Sequence, residues 1–463
     1  MKFQTSVAES VAAFADDPGA FTAGALLSHI NTSTACSEAA LQAAKFLAYD
    51  ESAPPAARSI SHSILSPKVV EPLDTDPVFD EQTARQRAYL MRSITRSEPL
   101  NAIRWIDLAL MHVNLGALTK AESEVKIALR LEPDNRHILR SAARFYVLKD
   151  DPQRAHALLE RSPAAVYDPW LQATELSLSE LLDTKNRRIR QARATISQGA
   201  FSPLHLSELA SELATAEMRA GRRRHAKRTM RTALVNPTEN ALAQAEWANS
   251  QGIDFELDTA PRVPGAFEAQ VLESTAKGDM EAALRAGQAW QGDQPFATDA
   301  ATFTSFIATV GTENWQAGVV AARRGLISSP HDVLLRNNLI FALANYGDLA
   351  SCEIEIAHLG NVAVGSAEHP TVCATLGLVA FRKGYLDRGR RLYANAIDSF
   401  RAINDLERER VAIVLLAREE LLARTEEASV AFKRAQVACR ESQEGQLLLW
   451  WRRVQALQAK QGS

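Results

Sequence analysis

From Ala102 to Asn135 the chain reads AIRWIDLALMHVNLGALTKAESEVKIALRLEPDN, and its apolar positions fall into two stripes separated by a break. Trp105, Leu108 and Leu115 mark one face of a helix at the 3.6-residue period. Gly116 then interrupts the pattern, as a residue tolerant of positive φ does at a helix end. A second stripe follows at Ala121, Val125 and Ala128, and Pro133 stops it. Alanine at two of those inward positions is a steric requirement, because paired helices approach closely only over small side chains. The pattern predicts helix, tight turn, helix.

The same pattern recurs. Proline stands at 99, 133, 169, 203 and 237, and again at 295 and 330, in steps of about 34 residues. A repeat of that length is one helix pair that cannot bury its apolar face alone, so neighbours stack into an elongated core. The frame continues from Arg136 with Leu139, Ala142, Ala143, Tyr146 and Ala155, and from Ser207 with Leu213, Ala214, Gly221, Ala226, Met230 and Ala233. It weakens over 172–204 and is degenerate from Asp299. It is strong again from Pro370 (Leu376, Gly377, Gly384, Gly389, Tyr393, Ala396), and it closes with Leu415, Leu416, Ala428, Phe432 and Ala435.

Trp105, Leu108, Ala109, Gly116, Ala121, Val125, Ala128 and Pro133 agree, position by position, with the tetratricopeptide repeat (TPR) family, which this chain resembles over most of residues 80–442 in roughly nine units. The resemblance implies an all-α, right-handed superhelical solenoid of about nine or ten TPR-like helix-turn-helix repeats. Residues 1–52 read as an N-terminal helical cap or arm. Residues 53–80, with Pro54, Pro55, Pro67, Pro72 and Pro77, read as a linker. One array is expected over 81–251 and another over 264–443. The break at 252–263 is either a hinge or a decayed repeat. The segment 444–463 reads as a capping helix that lays Trp450 and Trp451 over the last apolar face and leaves Arg452 and Arg453 in water.

Composition narrows the function. The chain has 463 residues and a net charge of −3, which gives no whole-molecule attraction to nucleic acid or membrane. The start, MKFQTSVAESVAAFADDPG, lacks the apolar core of a secretory signal, and no stretch is long and apolar enough to span a bilayer. Cys36, Cys352, Cys373 and Cys439 lack metal-ligand spacing and suit a reducing cytoplasm. Arginine heavily outnumbers lysine and alanine is abundant, as in GC-rich bacterial genomes. No Walker loop, GxSxG or HExxH occurs, so no catalysis, cofactor or metal is expected. Arg219 and His225 match a loose spacing found in some helical ribonucleases, a pattern that so arginine-rich a chain produces by chance. His112 and His369 read as structural.

Two surfaces remain as candidates. The TPR resemblance implies that first helices line a concave groove. Carried onto this chain, the groove residues are Phe303, Ile307, Asn337, Asn338, Phe341, Asn345, Leu378, Phe381 and Arg382, with Leu334 beside them. Aromatic anchors and amides of that kind hold a peptide or helix of a protein partner. The clamp with which the family grips a chaperone's C-terminal carboxylate is absent, since Phe303, Ile307, Thr371 and Thr375 stand at most of its positions. The second surface is basic: Arg187, Arg188, Arg190 and Arg193 in one repeat, then Arg222, Arg223, Arg224, Lys227, Arg228 and Arg231 in the next. The two clusters are expected to merge on the convex side, either as a solvated face or as a phosphate-binding patch for nucleic acid. The sequence carries no signal for self-association.

Overall fold

The computed structural model describes residues 7–29, 38–53, 55–65, 81–184, 188–253, 255, 257, 260, 261, 263–360, 366, 368–440 and 445–462. Among them all the regular secondary structure is helical, in TPR-like helix pairs, with no strand. It divides into two compact units, Met1–Leu272 and Glu273–Ser463.

The first unit opens with α1 (Val7–Asp16), α2 (Ala20–His29), α3 (Glu38–Tyr49) and α4 (Pro55–Leu65), packed around Phe14, Leu26, Ala43 and Leu47. The repeats follow as α5 (Glu81–Ser97), α6 (Ala102–Asn114), α7 (Leu118–Leu131), α8 (Arg136–Leu148), α9 (Pro152–Arg161), α10 (Pro169–Leu181), α11 (Ile189–Ser197), α12 (Pro203–Arg219), α13 (Arg223–Ala233) and α14 (Glu239–Ser250). Helix α15 (Phe267–Ala276) spans the division. The second unit continues with α16 (Met280–Asp293), α17 (Thr298–Phe306) running into a π turn at Ile307–Gly311, α18 (Trp315–Ser328), α19 (Val333–Tyr346), α20 (Leu349–Leu359), α21 (His369–Arg382), α22 (Leu386–Ala402), α23 (Leu406–Leu422), α24 (Ala428–Cys439) and α25 (Gly445–Gly462).

Local chemistry sets the helix ends. Asn135 accepts from the backbone N–H of His137 and Ile138 to start α8, and Asp168 does the same for α10 ahead of Pro169. The turn inside each pair passes through left-handed backbone, at Gly116 (φ 70), Gly221 (φ 73) and Gly384 (φ 79). The less regular units make the same turn without glycine, through Asp150, Asp183, Glu313 and Arg424. Inside a pair, small residues set the spacing. A Cβ on Gly325 would lie 2.3 Å from that of Ala301 and 2.6 Å from Leu335 Cδ2, so α17, α18 and α19 meet only over glycine.

Three expectations change. The expected linker carries α4, because Pro55 falls in the first turn, where proline suits a helix; Pro54 and residues 66–80 lie outside the described residues. The break after α14 is tied down: Ile253 and Phe255 are buried with Leu257 and Ala260 against α12–α14, filling the place of a second helix. The division between units therefore falls later, at Leu272.

Candidate functional site: the inner face of the second unit

In the second unit the first helices α17, α19, α21 and α23 lie side by side, the row that the TPR resemblance implies is the inner face. α25 lies beside α23 as the first helix of a further repeat would, and it also touches an early part of the unit. It packs on α23 and α24 and reaches the π turn after α17. Its stripe of Leu447, Trp450 and Val454 is fully buried in a core shared with Val310, Cys373, Ala412, Ile413 and Ala417.

Trp450 is the centre of this contact. Its indole meets the Phe341 ring edge-on at 6.3 Å, and the guanidinium groups of Arg418 and Arg453 lie 5.4 and 4.9 Å from the indole. Arg453 donates from Nη1 to the Val310 carbonyl at 2.7 Å and from Nη2 to the Gly311 carbonyl at 2.8 Å. Those carbonyls belong to the last turn of a helix, where orphan acceptors and the negative end of the macrodipole favour a cation. Glu313 stands 3.7 Å from its Nε. Arg453 is thus a C-terminal cap delivered from another helix, and not the wet side chain expected of it; Arg452 is exposed.

Beneath the indole lies a buried ionic network. Arg418 donates to Glu419 Oε1 at 2.7 Å and to Asn345 Oδ1 at 3.0 Å, and Arg382 reaches the same carboxylate at 3.2 Å. Burial still pushes the Glu419 carboxyl above its usual range against both arginines, and it pushes the neighbouring Tyr393 hydroxyl far up.

The groove residues carried over from the family therefore divide. Phe303 is exposed, stacked at a tilt on Trp290 with centroids 6.2 Å apart. Asn338 is half-buried and donates to Ser305 Oγ at 3.1 Å. Phe341 sits under Trp450 and beside Trp315. Asn345 and Arg382 belong to the ionic network. Four residues expected to face the groove are buried. Ile307 is buried at the point where α17 passes into the π turn. Leu378 is core, and Phe381 packs on Tyr393 over Gly389, where a Cβ would clash at 2.5 Å. Asn337 is buried with its amide oxygen unpartnered.

The basic residues lie in the first unit. Arg187 is outside the described residues. Arg188 pairs with Glu175 at 2.8 Å and Arg193 with Glu217 at 3.0 Å, while Arg190 is exposed. Glu217 also accepts from Thr229 Oγ1 at 3.0 Å, which ties α11 and α13 to α12 at one carboxylate. Arg222, just before α13, and Arg223, Arg224, Lys227, Arg228 and Arg231 on it are exposed. Arg219 is committed to Glu180 at 3.1 Å, away from any partnership with His225.

A further polar cluster escaped the motif search. The Arg140 guanidinium lies 4.6 Å from the Trp170 ring centroid, and Trp170 Nε1 donates to His205 at 2.9 Å. Asn240 donates to Glu208 at 2.9 Å and Gln244 to Glu212 at 2.6 Å. Burial first, and then the neighbouring Glu208, push the Glu212 carboxyl up to about 7. Both amide–acid pairs are 32 residues apart, close to the repeat period, and polar pairs at that separation are the signal that would have found them.

Among the described residues no group of three or more His, Cys, Asp or Glu could hold a metal ion, and no helix is long and apolar enough to cross a membrane. Cys352, Cys373 and Cys439 are buried free thiols, and burial pushes Cys352 up to about 12. No protein-family model matches the chain, and neither does any curated protein. Among solved structures it is similar to a human IFIT1 dimer with PPP-AAAA, at 14% identity and a TM-score of 0.36 over 82% of this chain and 86% of that one. It is also similar to yeast Tom70, at 11% identity and a TM-score of 0.33 over 82% of this chain and 96% of that one. At that distance neither likeness says what this chain binds.

Proposed function

We propose that this chain is a non-enzymatic cytoplasmic scaffold that takes a helix of a protein partner along the inner face of its second unit. One observation carries the reading: that face already takes a helix, α25, by burying an aromatic side chain and capping a helix terminus with an arginine. Phe303 on α17 and Leu334 on α19 are exposed apolar side chains on the same row of helices and would supply further contacts. A rigid array loses little order on binding, so such contacts convert efficiently into affinity.

The experiment is a comparison of partner capture from the native host by the wild-type chain and by Phe303→Ala/Leu334→Ala. Both side chains are exposed, so the variant should keep its melting temperature and lose at least about 1.4 kcal/mol of affinity, a tenfold change. Undiminished capture by the folded variant would exclude this face.

A second reading rests on α13. Among the described residues Arg222, Arg223, Arg224, Lys227 and Arg228 make no ion pair, whereas Arg136, Arg154, Arg336, Arg390 and Arg401 all do. Three of the five stand at the start of the helix, where the macrodipole repels cations, so the cluster weakens the helix it sits on. This face would engage a phosphate backbone. Binding of single-stranded RNA should then fall by at least about tenfold between 50 and 200 mM salt, and Arg223→Glu/Arg228→Glu should abolish it. Salt-independent binding, or none at 50 mM, would dismiss the basic face as a nucleic-acid site.

A further inference from the structure

We infer that α25 is a removable occupant of the inner face, and that the partner helix which replaces it carries an aromatic residue followed three positions later by arginine. This rests on the scaffold reading above and specifies both its partner and its control.

The contacts of α25 are those of a docked ligand helix. A stacked repeat touches its sequence neighbours. α25 touches its neighbours α23 and α24, and beyond them it joins residues 143 apart, from Arg453 to Val310. Its buried residues, Leu447, Trp450 and Val454, keep the i, i+3, i+7 spacing of a helix laid in a groove. Its Arg453 guanidinium bonds to backbone carbonyls, which offer the same acceptors to any guanidinium placed there. The charges beneath are paired without α25: Arg418 and Arg382 both donate to Glu419 Oε1, Arg382 Nη2 also stands 3.1 Å from Oε2, which makes no hydrogen bond, and Asn345 accepts from Arg418, so removing α25 takes no charged partner from Glu419. What it uncovers is an apolar floor, of which Phe341, Trp315, Val310 and Ala374 form part, with two helix-end carbonyls at one side. An amphipathic helix with a tryptophan or phenylalanine and an arginine one turn later fits that floor.

The test uses the full chain and a fluorescein-labelled peptide of residues 445–462 as the probe. The wild-type chain, its face filled, should bind the probe weakly. Trp450→Ala/Arg453→Ala, which loosens the chain's own α25, should bind at least tenfold more tightly, and a probe lacking the same two side chains should lose that gain. A double variant with wild-type circular dichroism that binds no better would overturn the proposal. Should the double variant fail to fold, Arg453→Gln keeps Trp450 in place and should still raise probe affinity about threefold; no rise would overturn it equally. A wild-type chain that is a dimer by light scattering and is made monomeric by the probe would name a second copy as the occupant, contrary to the partner proposed. The probe reads the α25 site without the partner, so its result and that of the Phe303→Ala/Leu334→Ala comparison can fail separately.

Discussion

Glutamine in place of Glu212 should stabilise the first unit at pH 8 by on the order of 2 kcal/mol and leave it unchanged at pH 4. In the folded chain burial and the nearby Glu208 hold the Glu212 proton up to about pH 7, whereas the ordinary value is 4.5. Between those values the folded state binds more protons than the unfolded state, so stability declines as pH rises through the window and stays at its lower value above it. The amide keeps an acceptor for Gln244 and removes the charge that repels Glu208. Urea unfolding of both proteins at the two pH values measures the difference. An equal change at both values would mean that Glu212 titrates normally and that the cluster is more hydrated than its packing implies.

Arg418→Met should cost the second unit about 3 kcal/mol, the low end for breaking a buried pair because Arg382 still reaches Glu419. Adding Glu419→Gln should recover about half of that loss, since the uncompensated carboxylate, more than the missing guanidinium, does the damage. The cycle is read from denaturant midpoints with unchanged slopes. Losses that simply add would show that Arg418 acts through its stacking on Trp450 and its bond to Asn345, independently of the carboxylate.

Much of the fold was legible in the sequence, because repeat packing writes itself locally. Ala121 and Ala128 are fully buried where α6 and α7 close, and Gly116 makes the left-handed turn between them. The frame faded where a different residue could do the same backbone work. Asp150, Asp183 and Glu313 adopt positive φ at a cost of about 1 kcal/mol each, so those units kept the geometry while losing the glycine that announces it. The candidate site was legible only in part. Periodicity says which residues share a helix face, and the TPR resemblance implies that Phe341 and Asn345 belong to the groove side. It could not say that α25 would return across that face, because the Arg453 contact depends on carbonyls, which have no sequence identity, at a π turn that no residue type marks. Phe381 illustrates the converse: its groove position was outweighed by the space that Gly389 leaves for an aromatic ring within the repeat.

The span from Val310 to Arg453 also changes how the second unit comes apart. A linear array frays from its ends, each repeat leaving at the cost of one interface. Here α25 is fastened back to an early repeat across 143 residues, about four repeat lengths, so that part of the array is closed into a loop. Closing that span costs roughly 1 kcal/mol more chain entropy than closing a single repeat, and it raises the contact order. The second unit should therefore fold more slowly and lose its helices in one transition, and releasing α25 would return it to stepwise fraying. A hydrogen-exchange profile of the second unit would show that change as a graded loss of protection along α19–α24.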